Sequence, residues 1–288
     1  MDTSELLKRV RRIEIKTKAL TNNIFAGEYH SAFKGRGMSF SEVREYQPGD
    51  DVRDIDWNVT ARMNRPYIKV FEEERELTLM LLIDVSASQG FGTRGRTQRE
   101  LATEIAATLA FSAMQNNDKI GVVFFTDRIE KFIPPQKGRK HVLYIIRELL
   151  NFEPVGKRTD ISVPLEYLTK VIRKRSIAFI LSDFLAERNY KKPLLVAARK
   201  HDIIGLQLFD HALAALPNVG LLKMTDAETG HQTYVDTSSN TVRKAHQKWW
   251  NEQTDTLRTE LHRSNVGFAS IATNADYVRS LMTLFAQR

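Results

Sequence analysis

The sequence predicts an α/β protein, a doubly wound, mainly parallel sheet preceded by a small irregular lobe that contains a few short strands. Three observations lead there. From residue 77 onward, apolar runs of strand length alternate with helical patterns, the signature of βα units whose sheet is covered on both faces. The longest apolar stretches, such as Leu79-Met80-Leu81-Leu82-Ile83, have the length of buried strands, and no run approaches a membrane span. Residues 22–76 differ in kind: rich in Gly, Pro and Asp, and poor in periodicity.

Taken in order, residues 3–20 read as an amphipathic helix, with Leu6, Leu7, Val10, Ile13 and Leu20 near helical spacing among basic residues. The lobe that follows ends in a strand-like Pro66–Phe71. Leu77–Ile83 is an apolar strand and Thr97–Met114 an Ala- and Leu-rich helix. Lys119–Phe125 and Glu130–Ile133 form a strand pair around Thr126-Asp127. Helices are expected at Lys140–Leu150 and Val163–Lys174, a strand at Ser176–Leu181, a helix at Lys191–Lys200 and a strand at Ile203–Phe209. Val219–Thr225 and His231–Val235 pair as a hairpin around Glu228-Thr229-Gly230. A long helix (Thr241–His262), a last strand (Val266–Ala272) and a closing helix (Tyr277–Phe285) complete the chain. The expected division is an N-terminal helix and lobe over 1–76 and a sheet domain over 77–288, elaborated by the hairpin and long helix at about 216–264.

The 288 residues, 42% hydrophobic and 27% charged, suffice for one large core plus a small appended lobe. The chain has no cysteine, which excludes disulfides, zinc–thiolate sites, iron–sulfur clusters and cysteine nucleophiles. Its first twenty residues carry charges every few positions and lack the apolar stretch of a signal peptide, so a cytoplasmic protein without membrane insertion is expected. The net charge of +8 invites a nucleic-acid reading. Residues 1–75 are nearly neutral, however, with 14 Lys/Arg against 13 Asp/Glu. The downstream excess, in Gln136–Lys140, Lys157-Arg158, Arg173–Arg175 and Arg188–Lys192, is scattered and not interleaved with aromatic residues. Solvated helix ends account for it, and nucleic acid is not the expected partner. No P-loop or dinucleotide fingerprint is present.

Two strands end in an aspartate: LTLMLLID at Asp84 and SIAFILSD at Asp183. In an open doubly wound sheet, ligands bind at the carboxyl ends of the strands. Asp84-Val85-Ser86-Ala87-Ser88 places three oxygen-bearing side chains at alternate positions, able to converge in a tight loop. Such hard donors suit Mg²⁺, Mn²⁺ or Ca²⁺. Two carboxylates and a few hydroxyls do not fill an octahedral shell, so a coordination position stays open to water or an outside ligand.

Asp84-x-Ser86-x-Ser88 after an apolar strand, Thr159 in a Thr-Asp-Ile that opens a helix, and Asp183 at a later strand end together resemble the metal-ion-dependent adhesion site of von Willebrand factor A domains. The resemblance implies that Ser86 and Ser88 bind the metal through their hydroxyls, that Thr159 binds directly or through water, and that Asp84 and Asp183 act largely through water. It implies too that the open position accepts a partner's carboxylate. The sequence departs from that pattern just before the threonine, where glycines are usual and Lys157-Arg158 follow Gly156. Two cations there either weaken metal binding or attract an acidic partner.

In the lobe, Pro48-Gly49-Asp50 is a strong turn signal. Arg36, Arg44, Arg53 and Arg62 lie among matching carboxylates, so an Arg–carboxylate network is expected, with Trp57 anchoring it in the core. Arg53, Asp54 and Asp56 are expected to hold the lobe onto the sheet domain or to bind a partner. Glu45-Tyr46-x-Pro48-Gly49-Asp50-Asp51-x-Arg53-x-Ile55-Asp56-Trp57 resembles the hallmark of a bacterial family of unknown function. Its members are often encoded beside MoxR-type AAA+ ATPases and carry a von Willebrand factor A-like domain. That resemblance, over roughly residues 30–210, implies an adaptor or chaperone-like module working with such an ATPase. The alternative is a Mg²⁺- or Mn²⁺-dependent phosphoester hydrolase, since a metal with an open position also activates water. No His or Glu is placed by the motif as a general base, and the loop lacks the Asp-x-Asp of an aspartyl-phosphate enzyme. His30 and His141 read as surface or packing residues, and Trp249-Trp250 as packing on the long helix.

Overall fold

A computed structural model describes residues 11, 13–14, 38–73, 77–93, 95–185 and 190–287. Most of the expected helix over 3–20, together with His30 and Arg36, lies outside the described residues. The chain divides into two compact units, Phe33–Leu77 and the remainder.

In the first unit, β1 (Met38–Glu45) pairs antiparallel with β2 (Tyr67–Glu73), with a register slip between Phe40 and Glu42. The connection carries a 3-10 turn (Val52–Asp54) and a short helix, α1 (Trp57–Met63). Gly49 adopts φ 109° in the Pro48-Gly49-Asp50 turn, a backbone region closed to side chains with a Cβ. Arg44 grips the Asp50 carboxylate with two bonds of 2.6 and 2.8 Å, and the Gln47 N–H donates to it at 2.8 Å. The arginine holds this carboxyl below its ordinary range.

Arg53 pairs with Asp51 at the surface. Asp56 caps α1 by accepting from the Asn58 and Val59 N–H groups. The arginine network thus exists in part. Arg62 has no carboxylate partner among the described residues. Trp57 does not anchor a core, because it is 68% exposed. The helix it opens buries none of its residues, and its more sheltered side carries Val59 and Thr60 instead.

The second unit is the expected α/β domain. In chain order it comprises β3 (Thr78–Asp84), α2 (Gln98–Gln115), β4 (Lys119–Phe125), β5 (Ile129–Gln136), α3 (Arg139–Asn151), α4 (Ser162–Val171), β6 (Ile177–Ser182), α5 (Lys191–Lys200) and β7 (Asp202–Phe209). A short helix α6 (His211–Ala214), the hairpin strands β8 (Leu221–Thr225) and β9 (Gln232–Asp236), α7 (Asn240–Arg263), β10 (Gly267–Ala272) and α8 (Tyr277–Ala286) follow. The sheet order is β10-β7-β6-β3-β4-β5, parallel throughout except for β5 at the edge.

Six of the seven β3 residues are buried, each apolar one contributing about 1.5–3 kcal/mol by leaving water. Alternation along the strand sends Met80 and Leu82 to one face, where they pack with Leu165 and Leu168 of α4, Leu194 of α5, and Leu257 and Leu261 of α7. The opposite face is covered by α2 and by α8, whose Phe285 meets Phe179 edge-on. A capping box of Thr97 and Glu100 starts α2. Its Ala-rich, nearly all-buried surface lets it lie close against the sheet. Among the described residues no helix is long and apolar enough to cross a membrane.

Candidate metal centre

The parallel strands β3 and β6 are neighbours, so their carboxyl ends deliver Asp84 and Asp183 to one edge of the sheet. After Asp84 the chain enters a 3-10 turn (Ala87–Gly90) that carries Ser86 and Ser88 over the strand ends. The Ser86 N–H closes this loop by donating to Asp84 Oδ1 at 2.9 Å. The two serine hydroxyls stand 3.0 Å apart, and Ser86 and Ser88 counter part of the rise in the Asp84 and Asp183 carboxyls respectively.

The Gly156–Ile161 loop supplies the third element. Lys157 offers its backbone carbonyl to the Ala87 N–H at 3.1 Å, which ties this loop to the serine loop. Asp160 accepts from the Ser162 N–H and hydroxyl and sets the start of α4. Thr159 is thereby turned inward, its hydroxyl 3.5 Å from Asp84 Oδ2, while the Lys157 and Arg158 side chains remain exposed. Gly156 is required here by contact, since a Cβ on it would sit 2.1 Å from Thr126 Oγ1. All five of Asp84, Ser86, Ser88, Thr159 and Asp183 therefore share one cluster, with Lys157 and Arg158 at its rim.

Three members carried no signal in the motif. The Ser182 hydroxyl donates to Asp84 Oδ2 at 2.7 Å, the shortest bond that carboxylate makes. A polar residue closing an otherwise apolar strand was the available clue. Phe184, immediately after Asp183, holds a left-handed φ of 58°, rare for a bulky residue and worth about 1–3 kcal/mol of strain. Its buried ring packs edge-on against Tyr190, and its N–H donates to Ser182 Oγ, so the residue pins the turn that aims Asp183. The third is Glu228, at the tip of the β8–β9 hairpin, whose carboxylate accepts from the Thr159 hydroxyl at 3.0 Å.

Asp84 and Asp183 are both buried, at 1% and 2% exposure. Loss of hydration, followed by the negative charge of Asp183, pushes the Asp84 carboxyl up to about 7. Loss of hydration also raises Asp183. Among the described residues no lysine or arginine pairs with either. Two buried like charges are costly, and a divalent cation bound beside them would offset the repulsion and the lost hydration. Nor do any three acidic or imidazole side chains converge on one centre among the described residues, so hydroxyls provide the remaining donors. Two carboxylates with Ser and Thr oxygens are hard donors of the kind that suit Mg²⁺ or Mn²⁺. The residues fit such an ion.

Residues 42–256 match the family described as protein of unknown function DUF58. An uncharacterized protein of Mycobacterium tuberculosis is 33% identical over 232 residues, spanning 80% of this chain and 73% of that one. Among solved structures, the conserved hypothetical protein BatB of Bacteroides thetaiotaomicron is similar at TM-score 0.48 and 13% identity, covering 73% of this chain and 98% of that one. The SpRpn10 VWA domain is similar at TM-score 0.37 and 12% identity, covering 74% of this chain and 95% of that one. The sequence match extends from the lobe through the sheet domain into α7, and the chain belongs to the DUF58 family.

Proposed function

We propose that this protein is a metal-dependent protein-interaction module. Asp84, Ser86, Ser88, Thr159 and Asp183 hold a divalent cation, Mg²⁺ with Mn²⁺ or Ca²⁺ as alternatives, and an acidic group of a partner completes the shell. The observation that carries this reading is the buried Asp84–Asp183 pair, without a cationic side chain among the described residues and ringed by hydroxyls at the sheet's carboxyl edge. When bound, the ion supplies positive charge and an open coordination position. The chain supplies the rest: Ser182 and the Ser86 N–H orient Asp84, Phe184 fixes the turn behind Asp183, and the Asp160–Ser162 bonds fix the loop that carries Thr159.

The exposed Lys157 and Arg158 draw an acidic group toward the site. In this reading residues 77–288 are the interaction domain, 1–76 a family-specific addition, and the partner a cytoplasmic MoxR-type AAA+ ATPase. Affinity capture of such an ATPase by the full chain, with Mg²⁺ or with EDTA, tests the proposal. Wild type captures it only with Mg²⁺, and Asp84→Ala or Ser86→Ala does not capture it. Equal capture by the variants, or in EDTA, refutes it.

A further inference from the structure

The β8–β9 hairpin is a separate two-stranded ribbon with much of its surface in water: Leu221 and Tyr234 are 70% and 64% exposed. From Thr225 to Tyr234 every residue is exposed except Glu228. The turn is built to present it. Asp226 Oδ1 accepts from the Glu228 N–H at 2.8 Å and the Thr229 N–H at 3.1 Å. Gly230, at φ 73°, returns its N–H to the Asp226 carbonyl. These bonds fix the loop locally, so it does not depend on the site for its shape, yet its tip reaches Thr159 across 69 residues of sequence.

A carboxylate is an unfavourable neighbour for a buried pair of aspartates. Glu228 approaches through the one hydroxyl it shares with Asp84, and a third negative charge there becomes favourable when a cation is present. From this geometry we infer that Glu228 is a tethered carboxylate, held at the edge of the site through the Thr159 hydroxyl, which blocks the approach otherwise open to a partner's acidic group and makes the hairpin a removable plug for the site. This inference rests on the reading of the cluster as a metal centre. A partner's carboxylate then binds by displacing the hairpin tip, and the ribbon's sparse burial makes such displacement inexpensive.

Mn²⁺ alone is the probe, titrated into the full-length wild type, Glu228→Gln and Asp84→Ala, with affinity and water-proton relaxation both measured. The glutamine keeps the Thr159 hydrogen bond and the fold while removing the charge. The expected result is Mn²⁺ affinity weakened about 10–100-fold in Glu228→Gln, the range seen when a supporting ligand is lost. Relaxation per bound Mn²⁺ should also increase, because an uncharged tip is held less firmly beside the cation and admits water to the site. Identical affinity and relaxation in wild type and Glu228→Gln, with binding lost in Asp84→Ala, overturns the tethered plug and leaves the metal centre standing. Undiminished Mn²⁺ binding in Asp84→Ala overturns both.

Discussion

Replacing Asp84 with asparagine should stabilise the metal-free protein above neutral pH, the reverse of what most buried substitutions do. The folded chain holds the Asp84 carboxyl at about 7, against an ordinary 3.8. A raised folded pKa means that the neutral form is the one the fold accommodates. The carboxyl therefore imposes no penalty below its unfolded value, a growing one as pH rises, and its full penalty once pH passes the folded value. A rise of roughly three pH units corresponds to about 4 kcal/mol at 1.36 kcal/mol per unit. Asparagine keeps an oxygen for the Ser86 N–H and an amide that can donate to Ser182 Oγ, so most of that penalty is recovered.

Urea unfolding in EDTA should show Asp84→Asn more stable than wild type by about 2–4 kcal/mol near pH 8, the gap closing toward pH 4. Mg²⁺ should reverse the order. Wild type gains about 4.1 kcal/mol at a thousandfold excess over its dissociation constant, enough to offset the gap, and the variant gains nothing. An Asp84→Asn protein less stable than wild type in EDTA at the higher pH would refute the account of a strained, charge-repelling site.

Three further outcomes follow from other parts of the chain. Gly156→Ala should cost about 1–3 kcal/mol in urea unfolding and weaken Mg²⁺ binding, because the new methyl must push Thr126 or the Thr159 loop aside. Trp57→Ala should change stability by no more than about 0.5 kcal/mol, as expected of an exposed side chain; a loss of several kcal/mol would restore it to a core. His201 is buried with Ser176 Oγ at 2.9 Å from Nδ1, and desolvation, then the charges of Lys200 and Arg175, lower it to about 4. Its stabilisation as a neutral ring is complete above 6.5 and lost as pH falls toward 4. Denaturant titrations should show a decline of about 2 kcal/mol over that window after allowance for solvent screening, and His201→Asn should flatten it.

The sheet was legible because its strands are buried on both faces, which forces continuous apolar runs such as Leu79–Ile83 and Ile177–Leu181. The site aspartates were legible because they stop those runs. β5 reads short in sequence, ending at Ile133 before Pro134-Pro135, yet it continues to Gln136. It is an edge strand, where a missing backbone N–H can face solvent.

Trp57 misled for the opposite reason: size and hydrophobicity argue for burial, but a seven-residue helix capped by Asp56 has too little surface to bury its first residue as well as Val59. Ser182 is obscured by the apolar run Ile177–Leu181 that it closes. Glu228 reads as part of a turn, and nothing local to Asp226–Gly230 encodes that the turn ends beside Thr159. Long-range placement of that kind is a property of the folded hairpin, not of its composition.

The most direct test of the central claim is calorimetric titration of Mn²⁺ or Mg²⁺ into the full chain and into Asp84→Ala. A single ion bound per wild-type chain, absent from the variant, is the predicted result. No binding by folded wild type, or equal binding by both proteins, would contradict the assignment of Asp84, Ser86, Ser88, Thr159 and Asp183 as a metal centre.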